Sequence, residues 1–261
     1  MGYDFAVMNT ASSVSQRALS LRRWYRRPLG RLLVDVELSA LADQLPNIFG
    51  YHLLVVDPPW DDFTLSASRI PHHVVQRTQT DPLTDAGLIG DSESWPVMTD
   101  TVDAIILPHT LEMTPDPHQV LREADRSLIP DGHLVILGFN PRSLWGVRRF
   151  LSRRSRGMPW AARFHSMHRI KDWLSLLGFD TLESRFLFHR PPVQNTRLLE
   201  KLQFLEPRTA HGRMLLAGSY ILVARKRTVI VTAIKAGHTA SRQLFPVGIP
   251  SSSQRNLRRA G

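Results

Sequence analysis

Cysteine is absent from the 261-residue chain, which excludes disulfides, thiolate zinc sites and a cysteine nucleophile. No apolar run approaches the roughly 20 residues that a membrane-spanning helix needs, so no membrane span is expected. The amino terminus, MGYDFAVMNTASSVSQ, lacks the basic start and long apolar core of a secretory signal. Ala6 stands where a myristoylation motif has serine or threonine. Cytoplasmic residence is the expectation. Acidic side chains are in deficit, with 23 Asp and Glu against 33 Lys and Arg and a net charge of +10. Such a balance favours polyanions, and weak, sequence-independent binding through the basic segments is expected.

What the chain does have is concentrated in Thr101–Pro141, TVDAIILPHTLEMTPDPHQVLREADRSLIPDGHLVILGFNP. Two short apolar runs, Asp103–Leu107 and His133–Phe139, suit strands buried on both faces of a parallel sheet. Between them Asp116 can cap a helix, Pro117 fits its first turn and Gln119 completes a capping-box spacing. Leu121, Ala124 and Leu128 recur at helical spacing, and Pro130-Asp131-Gly132 ends the element. This is a βαβ unit, right-handed almost by rule. Both strands then end on one sheet edge, where open α/β sheets bind ligands.

The flanks organise around that unit. Residues 1–33 are expected to form a basic extension, loose and polar over residues 1–16, with Leu19, Leu21, Trp24 and Tyr25 among arginines thereafter. A main domain is expected over residues 34–227. In it Glu37–Ile48 reads as a helix, Tyr51–Asp57 as a buried strand and His72–Arg77 as a second strand. Ile170–Leu177 reads as a helix stopped by Gly178, and Phe179–Phe188 and Met214–Ala224 as two further strands. Residues 228–261, rich in Ser, Arg, Gly and Pro, read as a disordered basic tail. Arg142–Arg156 is helical in pattern and strongly basic. It suits a lid over the cleft, a surface for acidic lipid or nucleic-acid phosphate, or a core helix with a solvated basic face.

The ordered set from Asp91 onward resembles the class I S-adenosylmethionine-dependent methyltransferases of the type 11 group. Asp91-Ser92-Glu93-Ser94-Trp95-Pro96-Val97 matches the family's acidic loop. The strand VDAIILPHTLE, the helix DPHQVLREADRSL, the strand HLVILGFNP and the helix end WLSLLGF follow in the family's order. The resemblance implies a Rossmann-like fold with a mostly parallel central sheet, helices on both faces and a terminal antiparallel hairpin. It further implies S-adenosylmethionine as cofactor and methyl transfer to an acceptor, small or macromolecular, that the residues do not name. By the same resemblance Asp91, with backbone of Ser92 and Leu107, holds the adenine end, and Asp57 lies near the methionyl end. His109 lines the cofactor cleft, Asn140 and Trp145 face the acceptor, and His109 and Glu112 are the candidates for acid–base work.

The chain departs from the family pattern at two places. The glycine-rich turn after the first strand is replaced by Asp57-Pro58-Pro59-Trp60, in which proline offers neither an amide hydrogen nor a positive φ. The acidic residue expected after the second strand is replaced by Gln76-Arg77. A non-catalytic binding or regulatory protein on the same fold is the alternative. A second alternative is a nucleic-acid adenine amino-methyltransferase, because Asp57-Pro58-Pro59-Trp60 reproduces that group's tetrad outside its usual place in the strand order.

Overall fold

Alternation of side chains along the strands decides this architecture. In the computed structural model, which describes residues 3–61, 63–78, 87–152, 157–193 and 215–228, β1 (His52–Val56) sends Leu53 and Val55 to one face and Leu54 and Val56 to the other. Both faces are buried, as the apolar runs predict. Seven strands line up in the order β3-β2-β1-β4-β5-β7-β6. They are β2 (His72–Arg77), β3 (Leu88–Ile89), β4 (Val102–Pro108), β5 (Leu128–Phe139), β6 (Phe179–Leu187) and β7 (Ser219–Lys226). Strands β3, β2, β1, β4 and β5 pair in parallel, while β7 runs antiparallel to both β5 and β6. This is the Rossmann-like sheet with its terminal hairpin.

One face is covered by α4 (Pro117–Ser127) and α6 (Met167–Leu176), whose Val120, Leu121, Ala124, Ile170 and Leu174 pack on Leu54, Ile105, Leu107 and Ile136. The Asp116 carboxylate accepts from the amides of His118 and Gln119 and caps α4. Ser166 caps α6, and Gly178, at φ 84°, ends it in the left-handed region that glycine alone takes without strain.

The other face is covered by α1 (Tyr3–Tyr25) and α2 (Pro28–Gln44). Residues 3–16 are therefore helical, where polar, small composition predicts a loose start. Only two residues separate these helices, and at the elbow a Cβ on Gly30 would collide with the backbone of Trp24 and Tyr25. Among the described residues between β1 and β2 there is no helix. Helix α2 supplies Leu29, Leu33 and Leu41 to the sheet face instead. The basic Arg142–Arg156 segment contributes α5 (Leu144–Leu151), capped by Ser143; a four-residue turn, α3 (Thr110–Met113), follows β4. The tail expected beyond residue 228 lies outside the described residues.

Candidate active site

The carboxyl edge of the sheet collects Asp57 after β1, Thr78 after β2, His109 after β4 and Asn140 after β5. Asp57 takes φ 47° and His109 φ 60°. Both are in the left-handed region, which a non-glycine residue adopts only where its surroundings hold it there. At Asp57 the turn that glycine would form therefore survives without glycine.

Asp57 reaches across to the end of β2. Its carboxylate accepts from the Thr78 amide at 2.7 Å, from the Thr78 hydroxyl and from the Ser92 hydroxyl at 2.5 Å. Burial raises its pKa, against the lowering effect of the Ser92 and Thr78 hydrogen bonds and of Arg77. Arg77 itself donates to the Pro58 carbonyl. A carboxylate thus does stand at the end of β2, lent by β1.

A second buried group centres on Glu37 of α2. Its carboxylate accepts from His109 Nε2 at 2.8 Å, Tyr25 Oη at 3.1 Å, Ser219 Oγ at 3.1 Å and Trp60 Nε1 at 3.4 Å. Four donors compensate a charge that has no exposure to water. Burial lowers the pKa of His109, but the charge and hydrogen bond of Glu37, aided by Glu112, outweigh it and the net shift is upward. Glu112 lies on the other side of the ring, Oε1 at 3.9 Å from His109 Nδ1, and accepts from the Phe139 amide at 2.8 Å. Burial, opposed by His109 and the Phe139 amide, lifts Glu112 to about 7. His109 Nδ1 and Glu112 Oε2 are both buried without a hydrogen-bond partner.

Glu37 was not foreseen from sequence, although a signal was present. Leu33, Glu37 and Leu41 lie four residues apart on one helical stripe, and a lone acid on an apolar stripe must find donors once buried. Of the expected residues, His109 and Glu112 come together as described. Leu107 is buried on the α4 face, and Asp91 is exposed, its Oδ1 accepting from the Glu93 amide. Ser92 is buried and serves Asp57. Asn140 is buried, donating to the Ala217 carbonyl and accepting from the Arg142 amide. Trp145 is fully buried, donates to the Arg190 carbonyl and stacks on Phe139. These last two side chains build the turn and core behind the edge. Trp60 is spent likewise, packed on Phe63 and donating to Glu37, so its ring offers no face to a nucleobase.

Helix α1 lies over this edge. Arg22 and Arg26 pair with Asp61 at 2.9 and 2.6 Å, and Arg17 donates to the Met113 carbonyl. Burial pushes Asp61 upward, but Arg26 and Arg22 together hold it below the usual carboxylate value. Between Ser15, Ala18 and Arg22 of α1 and Asp57, Pro58 and Thr78 there remains a cavity of about 20 Å³, room for about one water. The Thr78 and Ser92 hydroxyls beside it are engaged by the Asp57 carboxylate, and the exposed Asp91 carboxylate accepts from the Glu93 amide. A space of that size does not hold an adenosyl group.

The model of the methyltransferase domain, Methyltransf_11, matches residues 68–136. The uncharacterized Escherichia coli K12 protein YafS is 32% identical over 226 residues, covering 84% of this chain and 86% of its own. Among solved structures, a SAM-dependent methyltransferase from Thermotoga maritima aligns with TM-score 0.56 at 17% identity, over 79% of this chain and 93% of that one. Another from Archaeoglobus fulgidus aligns with TM-score 0.52 at 18% identity, over 75% and 94%. The strand order and these likenesses converge on methyl transfer with S-adenosylmethionine as the family's cofactor: the chain belongs to the class I S-adenosylmethionine-dependent methyltransferases.

Proposed function

We propose that the chain methylates a small acceptor, with His109 as the base and Glu37 as its positioning residue. The observation that carries the reading is the buried Glu37–His109–Glu112 row at the end of β4. The Glu37 carboxylate accepts the hydrogen bond of Nε2–H, which leaves Nδ1 of the neutral ring as the acceptor. That atom is without a partner and directed toward Glu112, itself with an unpaired oxygen. A hydroxyl or amine of the acceptor placed there would donate to Nδ1 and lose its proton as the new bond to carbon forms. Glu37 makes the ring a stronger base than burial alone would allow. When bound, S-adenosylmethionine supplies the electrophilic methyl group. Asp57 and Thr78 would hold the ribose hydroxyls, and Asp91 the adenine amine. Trp24 and Tyr25 of α1, closing over the edge, favour a small acceptor over a macromolecule.

The test is a calorimetric titration with S-adenosylhomocysteine, paired with amide exchange along α1. Binding should occur, and α1 amides should exchange faster in the Arg22→Ala, Arg26→Ala variant, which should also bind more tightly because less closure must be undone. Labelled methyl transfer to a small-molecule extract should be lost in His109→Gln while S-adenosylhomocysteine binding persists. A second reading, a non-catalytic member of the family, is favoured by the donors of Thr78 and Ser92 being engaged by Asp57. No heat at millimolar ligand, in wild type and clamp variant alike, would establish that second reading instead.

A further inference from the structure

We infer that α5 and the adjoining turn form a docking face for an anionic lipid surface. Helix α5 has two unlike sides. Trp145 points inward, stacked on Phe139, which in turn lies 4.0 Å from the His109 ring, centroid to centroid. Outward, Leu144, Val147, Phe150 and Leu151 are 42%, 55%, 66% and 78% exposed. Leu215 extends the face at 70% exposure, held to it by the Leu144 amide donating to the Leu215 carbonyl. Exposed aliphatic side chains at i, i+3 and i+7 make one stripe of a helix rather than scattered singles.

Charge decides what meets that stripe. Between Asp131 and Asp172 the chain has no acidic residue, yet it carries Arg142, Arg148, Arg149, Arg153, Arg154 and Arg156 in and beside α5. Arg148 lies over the Trp160 ring and donates to the Pro192 carbonyl; Arg149 lies over Phe164 and donates to the Ala162 carbonyl. Their positive charge is thereby fixed at the flank of the apolar stripe. An apolar face bordered by arginines, on a stretch of chain without an acid from residue 132 to residue 171, is the pattern of a helix lying in a lipid headgroup layer. Nucleic acid would use the arginines but not the leucines and valine, since single strands reward aromatic platforms and duplexes reward polar contact. Because α5 follows β5 directly at Asn140, docking there would set the edge that bears Asp57 and His109 close to the lipid.

The experiment is flotation of the full chain with phosphatidylcholine vesicles, with and without phosphatidylglycerol, over a salt series. Flotation with phosphatidylglycerol, none without it, and loss at high salt are expected. The Phe150→Ser, Leu151→Ser variant keeps every charge; it should float about tenfold less while its circular dichroism and melting midpoint stay unchanged. Undiminished flotation of that variant would overturn the inference by assigning binding to charge elsewhere. So would the absence of flotation at low salt. Short duplex DNA or polyglutamate bound in a Phe150- and Leu151-dependent way would assign the face to a macromolecule and overturn it equally.

Discussion

Glu112→Gln should stabilise the protein, and more so as pH rises. In the native chain burial lifts the Glu112 carboxyl from an ordinary 4.5 to about 7. A carboxyl that ionises more readily unfolded than folded favours unfolding wherever only the unfolded chain gives up the proton. The penalty is absent below about pH 4.5, grows through the interval up to about 7 and is constant above it. Its full size is about 3 kcal/mol. Glutamine fits the same place, because its carbonyl can keep the 2.8 Å hydrogen bond from the Phe139 amide. Its NH2 would replace Oε2, which has no partner to lose. His109 keeps Glu37, the larger of the two acids that raise it. Urea denaturation of both proteins at about pH 5 and about pH 8 should give near-equal stabilities at the lower pH and a gain of up to about 3 kcal/mol for the variant at the higher. A variant that loses stability increasingly with pH would show that Glu112 is ionised and stabilising in the native state, and would refute the reasoning.

Asp91→Ala should leave the fold intact, since Asp91 is exposed. It should weaken S-adenosylhomocysteine by roughly 1.5–3 kcal/mol, about one to two decades in affinity; an unchanged dissociation constant in calorimetry would make Asp91 a turn residue only. Trp145→Ala should cost about 3–5 kcal/mol in chemical denaturation, because it empties a fully buried site packed by Trp24, Phe139 and Phe188. A loss under about 1 kcal/mol would place the ring at an open pocket instead.

Sequence alone determined the half of the molecule whose signals are local. The short apolar runs in Asp103–Leu107 and His133–Phe139, the Asp116-Pro117 start and the Gly178 stop each act within a few residues. Helix α4, helix α6 and the parallel strands accordingly lie where those signals put them. The place of His109 at the carboxyl edge was legible for the same reason. Tertiary structure decided the rest, because its causes are far apart in the chain. Glu37 meets His109 across 72 positions and Ser219 across 182, so no window of sequence contains the site. Asp57 reads as part of a lost glycine turn until the end of β2 is beside it, where its carboxylate accepts from the Thr78 amide. The polar opening residues read as loose because helix propensity is weak without packing; docking on the edge through Leu21, Trp24 and Tyr25 makes them α1. Asn140 and Trp145 read as acceptor contacts from their place after β5. Which way a side chain turns from such a place depends on what it is packed against, and there the fold turned both inward.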